Sequence, residues 1–215
     1  MKKQVVSVLC LILGIALGVC GCLAVRVVRE AGGRGQQPIE SPLLPRENSL
    51  QDSELTALAY TVAGLIRDGD YETLSAYIHP VYGLVFAPYS TINLSSNQCF
   101  TPNRVAITAS DSTIYVWGTR YGTDEPIQLT AAQYFSAYVY NRDYIRAPLL
   151  GVNHVVKSGN ALENVTTVFP EGRFVDFCFP STSADGSGWS ILRIVFEPYE
   201  GEMKLSALIH SEYTE

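Results

Sequence analysis

Hydrophobic and polar positions divide the chain into three stretches. From Val5 to Val25 only Ser7 is clearly polar, a run of about 21 residues behind Lys2 and Lys3. Such a run can cross a bilayer core of about 30 Å, and its first part also has the form of a secretory signal's apolar segment. Residues 30–48, EAGGRGQQPIESPLLPREN, hold three glycines and three prolines with neither a helical nor an alternating period. Glycine loosens a chain and proline interrupts regular structure, so residues 23–50 read as a flexible tether. From residue 51 to 215 the periodic patterns of one folded domain take over.

That domain opens with helices. Leu55, Leu58, Ala59, Val62, Leu65 and Ile66 recur at helical spacing, with Asp52 or Ser53 placed as the cap and Gly69 as the stop. Asp70 then starts a second short helix, DYETLSAYIHP, striped by Tyr71, Leu74, Tyr77 and Ile78 and ended by Pro80. A third, LTAAQYFSAYVYN over 129–141, places Ala132, Phe135, Tyr138 and Val139 on one side. Strands are expected at TIYVWG (113–118), VNHVVK (152–157), RFVDFCF (173–179), SILRIVFE (190–197) and MKLSALIHSEYT (203–214). PYEGE between the last two reads as a hairpin turn. Helices first and antiparallel strands last give an α+β class, with N-terminal helices packed on a curved, mostly antiparallel sheet. The specific expectation is a sheet of the nuclear-transport-factor or cystatin type, preceded by a signal or anchor helix.

Charge separates the two ends. Residues 1–51 carry six Lys/Arg against three acids, and residues 52–215 carry nine against eighteen. The domain's net of −9 makes nucleic acid a poor partner, because affinity there comes largely from neutralising phosphates. An anionic membrane surface would also repel it.

The end of the apolar run settles on which side that domain works. Val19-Cys20-Gly21-Cys22 resembles the lipobox of bacterial lipoproteins, in which a small residue precedes the cysteine that takes a diacylglyceryl group. Gly21 and Cys22 match its two critical positions, so the resemblance implies lipidation at Cys22 and residues 1–22 as a lipoprotein signal peptide. The domain would then face outside the cytoplasm, held to the cell membrane by its N-terminal anchor. The rival reading is a spanning helix. Arg26, Arg29 and Arg34 after the run nearly balance Lys2, Lys3 and the terminal amine before it, so positive-inside bias leaves its orientation open.

Local motifs for chemistry are missing. There is no HExxH, CxxC or His-x-His for a metal, no GxGxxG or GxxxxGK[ST] for a cofactor or phosphate, and no GxSxG nucleophile elbow. No catalytic residue and no cofactor are therefore assigned. Asp124 and Glu125 precede Pro126 in a turn composition, so both should face water. Cys178, between Phe177 and Phe179, reads as a small buried residue, and Cys99 as a more exposed thiol. The two could pair in an oxidising exterior. Read structurally, His79 serves a helix end and His210 is a satisfied strand residue sharing a face with Ser206, Leu208 and Glu212. Thirteen tyrosines stand out, many of them in or near the second and third helices. A tyrosine-lined cavity would suit a small apolar or sugar-like ligand. Its mouth is expected near His79, Tyr89, Trp117, Arg120 and His210.

From about residue 55 onward the chain also resembles lipoproteins of Gram-positive bacteria that carry one α+β domain of unestablished activity. The blocks GDYETLSAYIHPVYGLVFAPYS, WGTRYGTDEPIQLT, YFSAYVYNRDY, SGNALEN and LIHSEYT carry that resemblance. It implies an anchored single domain and transfers no catalytic residues. The expected function is an extracytoplasmic binding or accessory module for a small-molecule ligand or an envelope protein. Its rivals are a hydrolase or isomerase with a histidine base, and a structural module of an envelope complex held by a transmembrane helix.

Overall fold

The structure is a computed structural model and describes residues 47–213, which fall in one compact unit. The apolar run, Cys22 and most of the tether lie outside the described residues. Among the described residues no helix is long and apolar enough to cross a membrane.

Helix α1 (Glu47–Asp68) includes Asp52 and Ser53 rather than starting at them. Its buried stripe is Leu55, Ala59, Val62, Ala63 and Ile66, and Gly69 ends it at φ +68°. Asp52 has a different task. Its carboxylate accepts from Arg173 Nη2 and, at 3.3 Å, from Asn153 Nδ2, fastening α1 to the sheet. Asp70 caps α2 (Tyr71–Ser75), accepting from the Thr73 N–H at 3.0 Å. α2 stops four residues short of the expected end, because the Tyr77–His79 backbone pairs with Leu205 instead.

Six strands form the main sheet: β1 (Leu84–Ala87), β2 (Gln98–Phe100), β5 (Leu149–Val152), β6 (Arg173–Phe179), β7 (Ser190–Tyr199) and β8 (Glu202–Glu212). Their order is β2-β1-β8-β7-β6-β5, antiparallel throughout except for the parallel β1–β8 pair. The β7–β8 hairpin turns at Glu200 and Gly201, both at positive φ, the backbone of a tight two-residue turn. Ser206 bulges β8 opposite the Val195–Phe196 step, which bends and twists a strand. A separate ribbon pairs β3 (Tyr115–Thr119) with β4 (Pro126–Leu129). This is an α+β fold with a mostly antiparallel sheet and few helices.

Both faces of the sheet are covered. Phe86, Leu208, Ile194 and Val175 join the core with α1, α2, α3 (Pro102–Ala106), the β3–β4 ribbon and α4 (Ala131–Tyr134). Val85, Ala207, Val195 and Phe174 face the other way, onto Ile92 and a strap after β5 that contains α5 (Val165–Val168) and Phe169. Asn164 holds the strap by exchanging hydrogen bonds of 2.9 Å with the Ile92 N–H and carbonyl. Under the strap Arg193 donates to both oxygens of Asp176, at 2.6 and 3.0 Å, and to Glu163 at 2.6 Å.

The expected strand at 152–157 lies earlier, at Leu149–Val152. The third helix stops being α at Tyr134, and Ala131 and Tyr134, rather than Ala132, are its buried residues there. The Cys99–Cys178 pair does not form. Both thiols are free, on strands four spacings (about 19 Å) apart, and a disulfide needs Cα atoms within about 7 Å.

Candidate functional site

The site is built where β8 passes beneath α4. A capping box opens α4: Thr130 Oγ1 accepts from the Gln133 N–H at 3.2 Å, and Gln133 Oε1 accepts from the Thr130 N–H at 2.9 Å. The helix then widens into a π turn over Phe135–Val139, closed by the Tyr140 N–H on the Phe135 carbonyl at 2.7 Å. Such turns are frequent at functional sites. Here the extra residue brings Tyr134, Phe135, Tyr138 and Val139 all inward.

Three rings lie nearly parallel. Trp117 stacks on Tyr134 at 3.9 Å, and Tyr134 on Tyr138 at 5.1 Å. Tyr138 then meets the His210 imidazole edge-on at 5.9 Å. Trp117 is held by its indole N–H on the Leu129 carbonyl at 2.9 Å. The polar atoms of this layer are poorly matched. His210 is 2% exposed, yet among the described residues neither imidazole nitrogen has a hydrogen-bond partner, and the buried Tyr134 hydroxyl has none either. Glu212 Oε2 lies 3.3 Å from His210 Nε2, close enough for charge attraction but outside hydrogen-bond geometry.

Electrostatics follow from that burial. Desolvation pushes the Tyr134 phenol well above its ordinary value. It also raises Tyr138, with the Tyr89 hydroxyl and Glu212 adding to the effect and Arg120 opposing it. His210 holds the Glu212 carboxyl below the usual carboxylate range, helped by Arg142. On the far side Tyr144 donates to Asn141 at 2.8 Å and contacts Ser190 Oγ at 3.1 Å, and burial pushes its phenol up to about 12.

Four of the five expected residues gather here. Trp117 and His210 are buried in the layer. Tyr89 and Arg120 line a cleft of about 440 Å³ at its edge, where the Tyr89 hydroxyl accepts from the Tyr121 N–H at 3.1 Å. His79 does not join them. Its backbone is tied to Leu205, five residues from His210 along β8, or about 17 Å. Its Nδ1 accepts from the N–H groups of Val81 and Tyr82 at 3.3 and 3.0 Å, and its ring stacks on Tyr82. His79 therefore shapes a turn, serves no helix end, and has one nitrogen already engaged. His210 departs from its structural reading in the other direction, since it is buried without being satisfied.

The larger cleft, about 870 Å³, lies at the opposite end between α1, α2 and the β7–β8 hairpin, lined by Leu55, Tyr77, Arg173, Met203 and Lys204 among others. None of its charged side chains is deeply buried, so nothing there is held out of water awaiting a partner. Among the described residues no group of three His, Cys, Asp or Glu converges on a metal position. Asp124 and Glu125 face water in a turn, and Cys178 is buried while Cys99 is exposed. Sequence spacing places Tyr138 on the inward side of the third helix and Glu212 on the face of His210, but it does not join them to Tyr134 or to one another. The available signal was the tyrosine excess around residues 134–144.

Comparison with known proteins adds little. No family model matches the chain, and no curated protein does. Among solved structures it is similar to a chain from Xanthomonas campestris described as a calcium/calmodulin dependent protein kinase II association domain. That match has 12% identity, covers 84% of this chain and 99% of that one, and has a TM-score of 0.34. It is also similar to a five-substitution variant named Rd1NTF2_05, at 11% identity over 77% of this chain and 99% of that one, TM-score 0.29. Likenesses this distant carry no argument about activity.

Proposed function

We propose that this chain is an extracytoplasmic lipoprotein, anchored to the cell membrane through Cys22, whose single domain binds a small molecule. The observation that carries the binding reading is the buried, unpartnered polarity of His210 and Tyr134 beneath Tyr138, beside the cleft of Tyr89 and Arg120. A buried polar group without a partner costs about 1–3 kcal/mol. A ligand that pairs it recovers that cost. The Val19-Cys20-Gly21-Cys22 sequence supports the anchor. We read the fold as a curved sheet of the nuclear-transport-factor type, on the strength of helices on one face and a bulge at Ser206.

Two measurements test this. A mature N-terminal peptide starting at Cys22 with an added diacylglyceryl mass is the expected product from native membranes; an intact Met1–Val25 segment would instead mean a membrane helix. Native mass spectra of the domain should hold a retained ligand, or a ligand panel should raise its melting temperature. Bare protein with no shift would end the binding reading. The His210–Glu212 approach of 3.3 Å favours one rival, a hydrolase or isomerase with His210 as base. That rival requires His210→Ala to abolish an activity while leaving the fold intact.

A further inference from the structure

Resting on that reading, the geometry points to the ligand's class: we infer that His210 Nδ1 is the acceptor for a small, uncharged ring compound that donates through a hydroxyl or N–H. A neutral imidazole has one donor nitrogen and one acceptor. The carboxylate of Glu212 lies 3.3 Å from Nε2, so in the neutral ring the proton faces it from Nε2, and Nδ1 is left as a buried acceptor with no donor among the described residues. The Tyr134 hydroxyl, also unpartnered, can give or take a second bond.

Charge excludes the alternatives. A carboxylate brings no proton for Nδ1 and would be set beside Glu212, which His210 keeps ionised. A cation would be drawn to Glu212 but opposed by Arg142 and Arg120, whose charges act on Glu212 and on the neighbouring Tyr138 respectively. A neutral donor meets neither objection. Shape supplies the ring. Tyr138 presents its edge to the imidazole, and it is the wall that reaches solvent, at 8% exposure, whereas Trp117 and Tyr134 are fully buried. Entry therefore goes through rotation of Tyr138 toward the cleft of Tyr89 and Arg120, with the ligand's ring taking the space that the phenol leaves.

The test uses phenol as probe, with benzene and benzoate as controls of the same shape, on the domain with its histidines isotopically labelled. Three histidines make the imidazole spectrum simple to assign. Phenol is expected to move the His210 nitrogen resonances saturably, leave His79 and His154 in place, and bind about tenfold more weakly to His210→Phe, as the loss of one hydrogen bond implies. Benzene should leave the His210 resonances unmoved. No movement of His210, equal movement by phenol and benzene, or movement by benzoate alone would overturn the inference. If His210→Phe fails to fold, the wild-type titration with the two controls decides by itself. If a ligand seen in native mass spectra binds His210→Phe undiminished, the binding module stands and this assignment falls.

Discussion

Removing the Asp176 carboxylate should be among the most damaging single changes in the domain. Asp176 and Arg193 face each other across β6 and β7, 0% and 1% exposed, and the guanidinium makes three charge-assisted bonds of 2.6–3.0 Å. Burial pushes the Asp176 carboxyl up, and Arg193 with the Val156 N–H at 3.2 Å opposes it. Asp176→Ala removes two of the three bonds and leaves the buried cation with Glu163 alone. Breaking such a pair costs about 3–5 kcal/mol, and a domain of this size loses about 2–4 °C per kcal/mol. The melting temperature should therefore fall by about 6–20 °C. Replacing both partners by apolar residues, Asp176→Leu with Arg193→Met, leaves without partners only Glu163 and the Val156 N–H, both on part-buried residues. That variant should stay within about 2 kcal/mol of the parent. Urea unfolding followed by tryptophan fluorescence measures both. If Asp176→Ala costs less than about 1 kcal/mol, or the double replacement costs as much as the single, the reasoning fails.

Thr130→Ala removes half of the capping box and should cost about 1 kcal/mol by denaturant melt, while weakening the near-ultraviolet signal of the stacked rings. Gly151→Ala sets a Cβ 2.3 Å from the His154 carbonyl and 2.5 Å from Val156 Cγ2. The strap must shift to admit it, and a loss of about 1–3 kcal/mol is expected in the same assay. Bonds from the Thr113 side chain, the Tyr115 hydroxyl and the Thr113 N–H hold the Asp111 carboxyl down at about 2. Its folded value lies below the unfolded one, so its stabilisation is complete above about pH 4 and fades as pH falls toward 2. Carboxyl NMR should give a midpoint near 2, and a midpoint near 4 would refute the assignment.

Local patterns made the end of the chain legible. β6 is found at RFVDFCF to the residue, and β7, β8 and their turn follow, because β6 and β7 are rich in β-branched and aromatic residues, the turn has its glycine, and β8 is the apolar run behind it. β1 has no such signature. LVFA is buried on both faces, so it neither alternates nor runs long. β2 and β4 are equally short. The His79 segment left the helical pattern for a contact with Leu205 more than a hundred residues away, which proline spacing does not encode. Tyr89, Trp117, Arg120 and His210 were identifiable as aromatic or chargeable residues. Their meeting depends on the parallel β1–β8 pair and on the ribbon, and Tyr138 meets His210 from a π turn.

The two faces of the sheet treat buried polarity in different ways, and the proposed binding site rests on that contrast. Under the strap every nitrogen of Arg193 that bonds an acid does so at hydrogen-bond distance, and the one loose atom, Glu163 Oε1, belongs to a rim side chain. Such a network fixes a segment in place and asks nothing of the solvent. Beneath α4 the same chain buries an imidazole and a phenol among aromatic rings, with a hydrogen bond to neither among the described residues and only Glu212, at 3.3 Å, beside the imidazole. Phenylalanine at 134 and 210 would fill that space without the cost, since replacing an unpaired buried polar group by an apolar one of similar shape is neutral or stabilising. Thr108 Oγ1 is also buried without a partner, but only the His210–Tyr134 pair combines that cost with a neighbouring π turn and a cleft, the combination the proposed binding site is built on. His210→Phe should accordingly melt higher than the parent and bind less.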